Sequence, residues 1–569
     1  METKFSRTKK NMKTNLLCKI SSIICALMFA SFSSAQAATI NSTYTGPTDG
    51  NWGDPANWSP AIVPNNGGGN TFAATIANVF LTLDLDVTVD RLTFNPGDGN
   101  PIIVGGTAPL LDSLDHNFTS AHTSVGDGGI VLASAVAEDV TVDLGELDDF
   151  SGTTLHTGYA YIAAAEPGRT ATLKFENANI FSSAAGIELI GGGANITDEQ
   201  GRDAITHFRH NLFDGYFDLE VGRNFTTEGS FVNEGLITVL ASEPGFFSGD
   251  IDTTLTINGN YTGIGYPLDP NTDGKVELLA PGPDGDARMI INGALTNYNA
   301  ARKTLNKTWY QWEAANGRSA TTQVLGGSRP LDIVTNNASL SLFGPNTGLR
   351  DKFGNDALRN LAVSARFSMG DRDFTTTDSF TSTSRLSIYG NSHFNVNGHL
   401  SVSGEQFQVF ALTGYALLGL DGFPNDPPYK KSYITVRGSL DMRSVDRFRY
   451  GIFDNATLPS VTINGAAKLG GALVPYLLDG ANVSASDRFT LMTAANMVGH
   501  FSNVANGGRV SAISFTDGSV LGTFLLTINR RSIVLSDFQP AQGIPESHAT
   551  RPDSSKTLER GLDGNDSDL

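Results

Sequence analysis

Four groups of side chains in this chain have the types and spacing that chemistry requires. The most specific is Asp269-x-Asn271-x-Asp273-Gly274. Alternating oxygen side chains followed by glycine copy the first half of a calcium loop, in which carboxylate and carbonyl oxygens surround the ion. Glu277 is close enough in sequence to join, but the twelfth position, where a bidentate glutamate belongs, is Ala280. Pro267 and Pro270 suit a plain solvent turn as well. Asp269, Asn271 and Asp273 are therefore the candidate calcium ligands, with Asp284-Gly285-Asp286 adding charge nearby. The second group, His207-x-x-His210, offers two metal ligands without a clear third. The third is carboxylate-rich: Asp84, Asp86 and Asp90, then Asp143, Glu146, Asp148 and Asp149. Paired carboxylates cleave glycosidic bonds, and strand alternation would place the first three on one face. A solvated strand face carries the same pattern, and that reading is preferred. The fourth group is Trp52 and Trp58, which either stack on carbohydrate or close a small N-terminal cap. There is no zinc-protease His-Glu-x-x-His, no Gly-x-Ser-x-Gly elbow and no phosphate loop. No catalytic residue and no required cofactor is assigned, and the chain leans away from an enzyme.

The elements that must carry these groups are short strands. From Val79 to Val89 every second residue is apolar, which is the period of a half-buried strand. Similar runs recur, such as Leu236 to Leu240 and Val276 to Leu279, separated by turns of the Asn258-Gly259 and Asn397-Gly398 kind. A long internal repeat overlies them. Arg223 to Phe231 (RNFTTEGSF) matches Arg372 to Phe380 (RDFTTTDSF) at six of nine positions. Just upstream, Leu189, Gly191, Asp198, Gly201, Asp203 and Ala204 meet Leu342, Gly344, Asp351, Gly354, Asp356 and Ala357. The spacing drops from 153 to 149, which places four extra residues in the first copy around Phe213-Asp214-Gly215. Repeats with loop-sized differences mark architectures that work through extended surfaces. The expected fold is all-β: a parallel β-solenoid (β-helix) with an N-terminal cap, a C-terminal β module and a disordered tail. At ~20–25 residues per turn, residues 96–460 would make roughly 15–18 rungs.

Composition narrows the function. Residues 1–37 read as a signal peptide, with Lys4 to Lys19 as a basic segment, Ile20 to Phe32 as an apolar one, and Ala35-Gln36-Ala37 as the cleavage site. Met12 is an alternative start. The apolar run is too short to span a bilayer, and no second long run follows, so the mature chain has no transmembrane segment. Both cysteines, Cys18 and Cys25, lie in the leader, so disulfides and thiolate chemistry are excluded after it. The whole chain carries −19, and removing a leader of net +5 leaves −24. Nucleic-acid binding needs basic stripes and is excluded on this charge. The organisation expected is 1–37 signal peptide, 38–95 cap and first strands, 96–460 solenoid containing the repeat (187–240 and 340–390), 461–538 C-terminal β module, and 539–569 an acidic disordered tail.

Together these segments resemble the secreted β-solenoid proteins of Gram-negative bacterial surfaces, of the autotransporter-passenger and PEP-CTERM-associated kind. The residues carrying the resemblance are Trp52, Asn57-Trp58 and Pro64, then Leu295 to Asn299 with Lys303 to Leu305. Asp332 to Asn336, Gly354 to Asn360 and Phe374 to Thr376 continue it. Asp487-x-Phe489-x-Leu491 with Gly499-x-Phe501-x-x-Val504 matches the closing module. Two features of such proteins are missing, the translocator barrel and a Pro-Glu-Pro sorting tail after Phe538. The resemblance implies an exported, non-enzymatic, adhesin-like or surface-structure role at the cell surface, touching extracellular polysaccharide or other surface components. The alternative is a carbohydrate-active β-helix enzyme, a polysaccharide lyase or glycoside hydrolase.

Overall fold

Alternation of apolar and polar residues builds almost everything in this chain. A computed structural model describes residues 38–541, apart from 78, 96–109, 127–129, 165, 242–250, 266–273, 283, 316, 328 and 413–428. The expected signal peptide (1–37) and nearly all of the expected tail (542–569) therefore lie outside the described residues. Among those described, the chain forms 45 strands and one three-residue 3-10 turn, Pro55–Asn57, and is all-β.

Strands far apart in sequence pair in parallel, each with the next to arrive at the same place. Gly186–Ile190 pairs with Tyr216–Glu220, which pairs with Leu236–Leu240, then Lys275–Ala280, Thr304–Ala314, Thr335–Phe343 and Val363–Gly370. The ladder continues through Phe380–Ile388 and Leu400–Val409 to Leu440–Ile452. Register holds one inward column along it: Ala160, Ile187, Phe217, Ile237, Val276, Tyr310, Leu340, Phe367, Leu386, Phe407 and Phe448. All are buried in one continuous core. Successive members lie from 19 residues apart (Phe367 to Leu386) to 41 (Phe407 to Phe448). The expected rung of ~20–25 residues is thus too uniform, because loops of different length leave the ladder at its corners.

The alternating run from Val79 is also not one strand. Phe80–Thr82 joins the long ladder, whereas Val87–Phe94 joins a second one beside Thr71–Ile76 and Phe118–Ser124. The corner between them is pinned by carboxylates. Asp84 Oδ1 accepts from Gly53 N at 2.6 Å, and Asp86 Oδ1 from Asn117 N at 2.9 Å. Asp84 and Asp86 therefore do not share a strand face with Asp90, as alternation alone suggested.

The two repeat copies make the same hydrogen bonds. Asp198 Oδ1 accepts from Gln200 N and Arg202 N, and Asp351 Oδ1 from Phe353 N and Asn355 N. Asp203 Oδ1 accepts from Ile205 N, as Asp356 Oδ1 does from Leu358 N. Phe217 packs on Phe225 with centroids 5.3 Å apart, and Phe367 on Phe374 at 5.1 Å. Phe231 and Phe380 complete the two clusters, both fully buried.

Both ends are closed, which removes exposed sheet edges. At the start, Trp52, Trp58 and Tyr44 stack over the core, with Trp52–Trp58 centroids 4.7 Å apart. Trp52 Nε1 donates to the Pro64 carbonyl and Trp58 Nε1 to that of Trp52, both at 2.8 Å. These rings are cap, not a stacking platform. At the other end seven strands close a barrel, in the order Leu440–Ile452, Ser460–Leu469, Arg488–Gly499, Ser532–Pro540, Val520–Ile528, Arg509–Ser514 and Ala472–Leu477. The last pairs back onto the first. Antiparallel pairing enters only in its closing half.

Candidate functional site

If every second residue of the long ladder points into the core, its neighbours form the outer face. Two outer columns run beside the apolar one. The first reads Tyr161, Glu188, Asp218, Thr238, Glu277 and Gln311, and continues through Ser341, Ser368, Ser387 and Gln408 to Arg449. The second holds Tyr159, Tyr216, Lys275, Trp309, Arg366, Arg385 and Arg447. Despite facing outward, none of these side chains is more than partly exposed. Apolar clusters outside the main core flank the face. Ala163, Ile190 and Val221 border the front half, and Phe343, Tyr389, Phe410 and Leu478 the rear.

The front half concentrates acids. The Tyr159 ring lies across Gly186, where a Cβ would sit 2.0 Å from Tyr159 Cδ2. Only glycine permits that approach, and it lets the Tyr159 hydroxyl donate to Glu188 Oε2. One rung on, Asp218 is partly exposed as a residue, but its Oδ1 is shut off from solvent and has no hydrogen-bond partner. Burial, and after it the charge of Glu188, push its carboxyl up to about 8, against a hydrogen bond from Thr238. Glu277 adds to the rise. Glu277 Oε1 lies 2.6 Å from Lys275 Nζ, which sits 4.4 Å from the Trp309 ring centroid. Glu313 is fully buried, with no partner for either carboxyl oxygen. Burial, then Glu277 and Asp371, hold its pKa well above the carboxylate range.

The rear half is basic and self-compensated. Arg366 Nη2 reaches Glu405 Oε1 at 3.0 Å, and Arg385 Nη2 reaches Oε2 at 3.8 Å. Ser387 Oγ and the Tyr389 hydroxyl both donate to Gln408 Oε1, at 3.0 and 3.3 Å.

The residues singled out from sequence fall elsewhere. Asp269, Asn271 and Asp273 lie outside the described residues. Next to them, Gly274 N donates to the Glu234 carbonyl at 2.7 Å, and Glu277 belongs to the outer column. Asp284 and Asp286 pair with Arg318 and Arg288. His207 and His210 bind different glutamates, Glu228 at 2.6 Å and Glu234 at 2.9 Å. Asp143 pairs with Lys174, and His122 with Glu146 and Asp148. Asp149 accepts from Gly126 N and Thr157 Oγ1. Among the described residues no group of three or more His, Cys, Asp or Glu is arranged to hold a metal, and no helix is long and apolar enough to cross a membrane. Sequence reasoning missed Glu188, Asp218 and Glu313. Their signal is an acid at an outward position of an alternating strand, as in Tyr216-Phe217-Asp218-Leu219-Glu220. Comparison of the chain with protein-family models, with curated proteins and with solved structures finds no match.

Proposed function

We propose that this chain is an exported, adhesin-like surface protein in which the parallel ladders wind as a β-solenoid, and that its outer face contacts extracellular polysaccharide. One observation carries the reading: eleven consecutive rungs line up one outer column of aromatic, amide, hydroxyl and charged side chains, of which Tyr161, Glu188, Asp218, Glu277, Ser368 and Arg449 are partly exposed. Glycans are bound by such mixtures, through rings that cover sugar faces and polar groups that pair with hydroxyls. Periodic rungs suit a periodic polymer. Calcium at Asp269, Asn271 and Asp273 belongs to the same proposal as a loop-ordering ion. Glycan-array binding of the full chain tests the contact. Binding to polysaccharides that weakens in a Tyr161→Ala, Tyr216→Ala double variant supports it, and no binding across the array sinks it.

A carbohydrate-active enzyme is the second reading. It is favoured by two carboxyl groups on adjacent rungs in unlike surroundings: Asp218, whose pKa burial and then the charge of Glu188 raise to about 8, and Glu188, which accepts from the Tyr159 hydroxyl.

A further inference from the structure

We propose that Asp218 and Glu188 are the acid and the nucleophile of a retaining glycoside-cleaving site on the front half of the outer face, acting on a neutral or amino-sugar polysaccharide. The inference rests on the polysaccharide-contact reading and assigns that face its chemistry.

Geometry comes first. Glu188 and Asp218 are register partners in one column, both on the outer side. Paired strands lie ~4.8 Å apart, and retaining glycosidases hold their two carboxyl groups ~5–5.5 Å apart. The pair is also chemically unequal. Glu188 accepts a hydrogen bond from the Tyr159 hydroxyl, whereas Asp218 Oδ1 accepts none. Asp218 faces Glu188 and Tyr159 from the rungs before it, Glu220 from its own strand, and Thr238 and then Glu277 with Lys275 from the rungs after it. Burial first, and then the negative charge of Glu188 and Glu277, keep its proton on through neutral pH. A carboxyl that holds its proton, one rung from a second carboxyl in a different setting, suits the pairing of an acid with a nucleophile.

A separate observation points to a ligand. Asp218 Oδ1 is shielded and unpartnered, and on the same face Glu313 is fully buried with neither oxygen bonded. Buried carboxyls are almost always satisfied. A sugar hydroxyl or ammonium laid along the front half supplies donors to this row. The row also repels a uronic acid, and Arg366 and Arg385 at the rear are already paired with Glu405.

The step balances without a co-reactant other than water. Glu188 attacks the anomeric carbon and the bond to the leaving oxygen breaks, while Asp218 gives that oxygen its proton. Water then adds to the anomeric carbon, loses a proton to Asp218, and releases Glu188 as carboxylate. Tyr159 is a positioning residue acting through Glu188.

The test uses the full chain with laminarin, dextran and chitosan oligosaccharides, and with 2,4-dinitrophenyl glycosides. New reducing ends are expected from at least one polymer, falling away above about pH 8 as Asp218 ionises. Glu188→Gln should lose about a hundredfold or more on every substrate, and Asp218→Asn as much on polymers. Asp218→Asn should keep kcat/KM and a burst of dinitrophenol release on the dinitrophenyl glycoside, whose leaving group needs no proton, while kcat falls because the base for the second step is gone. Azide added to Glu188→Ala should yield a glycosyl azide of inverted configuration. Glu188→Ser with Asp218→Ser guards against misfolding, because the second repeat copy carries serines at these places. Equal rates in wild type and variants overturn the proposal. Binding without cleavage overturns it and leaves the contact reading standing, whereas neither binding nor cleavage overturns both.

Discussion

The two repeat copies occupy the two halves of the same outer face and treat its two sides differently. Inward, they agree: Ile187 and Phe217 in the first copy stand where Leu340 and Phe367 stand in the second, all fully buried. The Asp198 and Asp351 turns bond identically. Outward, they part. Glu188 is replaced by Ser341, Asp218 by Ser368, Glu220 by Gly370 and Tyr216 by Arg366. The fold therefore does not require the front acids, since the same rungs form without them. Keeping Glu188, Asp218 and Glu220 together on one half costs stability through desolvation and mutual repulsion, and the second copy shows that cost to be avoidable. Such a cost retained at one place is the usual sign of function.

The largest expected effect tests the shared side of this comparison. Phe231→Ala and Phe380→Ala each open a cavity in an equivalent, fully buried ring cluster. Each should cost ~3–5 kcal/mol, and by similar amounts. Melting or denaturant unfolding of the two variants checks it. A cost in one copy only would mean that the copies are not equivalent scaffolds.

The next effect tests the divergent side. Asp218 has its folded pKa raised from the ordinary 3.8 to about 8. Below pH 4 both folded and unfolded forms hold the proton, and the group costs nothing. As pH rises the unfolded chain releases the proton while the folded chain keeps it. Stability therefore falls between about pH 4 and pH 8 and then levels off. Asp218→Asn removes this penalty and should stabilise the chain at pH 8 by on the order of 2–4 kcal/mol, with no gain at pH 4. Ser368→Asn in the rear copy should show no such pH dependence. Flat, equal curves for both would erase the electrostatic difference between the halves.

How much of this was legible in sequence follows from what kind of spacing each feature has. Phe225, Phe231 and their mates are visible because turn and core residues within one rung keep near-constant separations. Even so, the four extra residues of the first copy are split. Three fall between His210 and Phe217, compared with Val363 and Phe367, and one between Phe217 and Phe225, compared with Phe367 and Phe374. The outer columns were not legible. Glu188 and Asp218 are 30 residues apart, and Asp218 and Glu277 are 59 apart. Loops of unequal length set those intervals, so no period reveals which acids stack. Asp84 and Asp86 misled for the complementary reason. Alternation ran on through a corner, where side-chain acceptors and not strand pairing hold the backbone.

A smaller effect comes from a glycine that both copies keep. Gly191 has φ +80°, and a Cβ there would lie 2.4 Å from the Ala164 carbonyl oxygen. Gly344 has φ +101°, with the Ala314 oxygen at 1.9 Å. Alanine at either place meets backbone as well as an unfavourable φ, and should cost ~1–3 kcal/mol. Thermal melts of Gly191→Ala and Gly344→Ala should fall together, and a drop confined to one copy would narrow the shared scaffold to its aromatic clusters.

The smallest expected effect concerns a segment that only the front half has. Eleven residues separate the strand ending at Gly263 from the one beginning at Lys275, whereas the matching rung of the rear copy runs unbroken from Leu400 to Val409. The insertion contains Asp269, Asn271 and Asp273. If it takes calcium, three oxygen side chains with backbone carbonyls converge at ~2.3–2.6 Å on one ion, and the ion offsets negative charge beside the acidic half. Because only the folded loop presents these oxygens together, binding stabilises by mass action, by ~1–3 kcal/mol at a concentration well above the dissociation constant. The melting midpoint should therefore rise with calcium and fall back with chelator. Asp269→Ala with Asp273→Ala should abolish that response without disturbing the Asp218 pH curve, since the loop and the outer column carry separate groups. A plain turn predicts equal midpoints with and without the ion. An unchanged shift in the double variant would move the calcium elsewhere and leave the insertion a spacer, so that the front half would differ from the rear in its outer column alone.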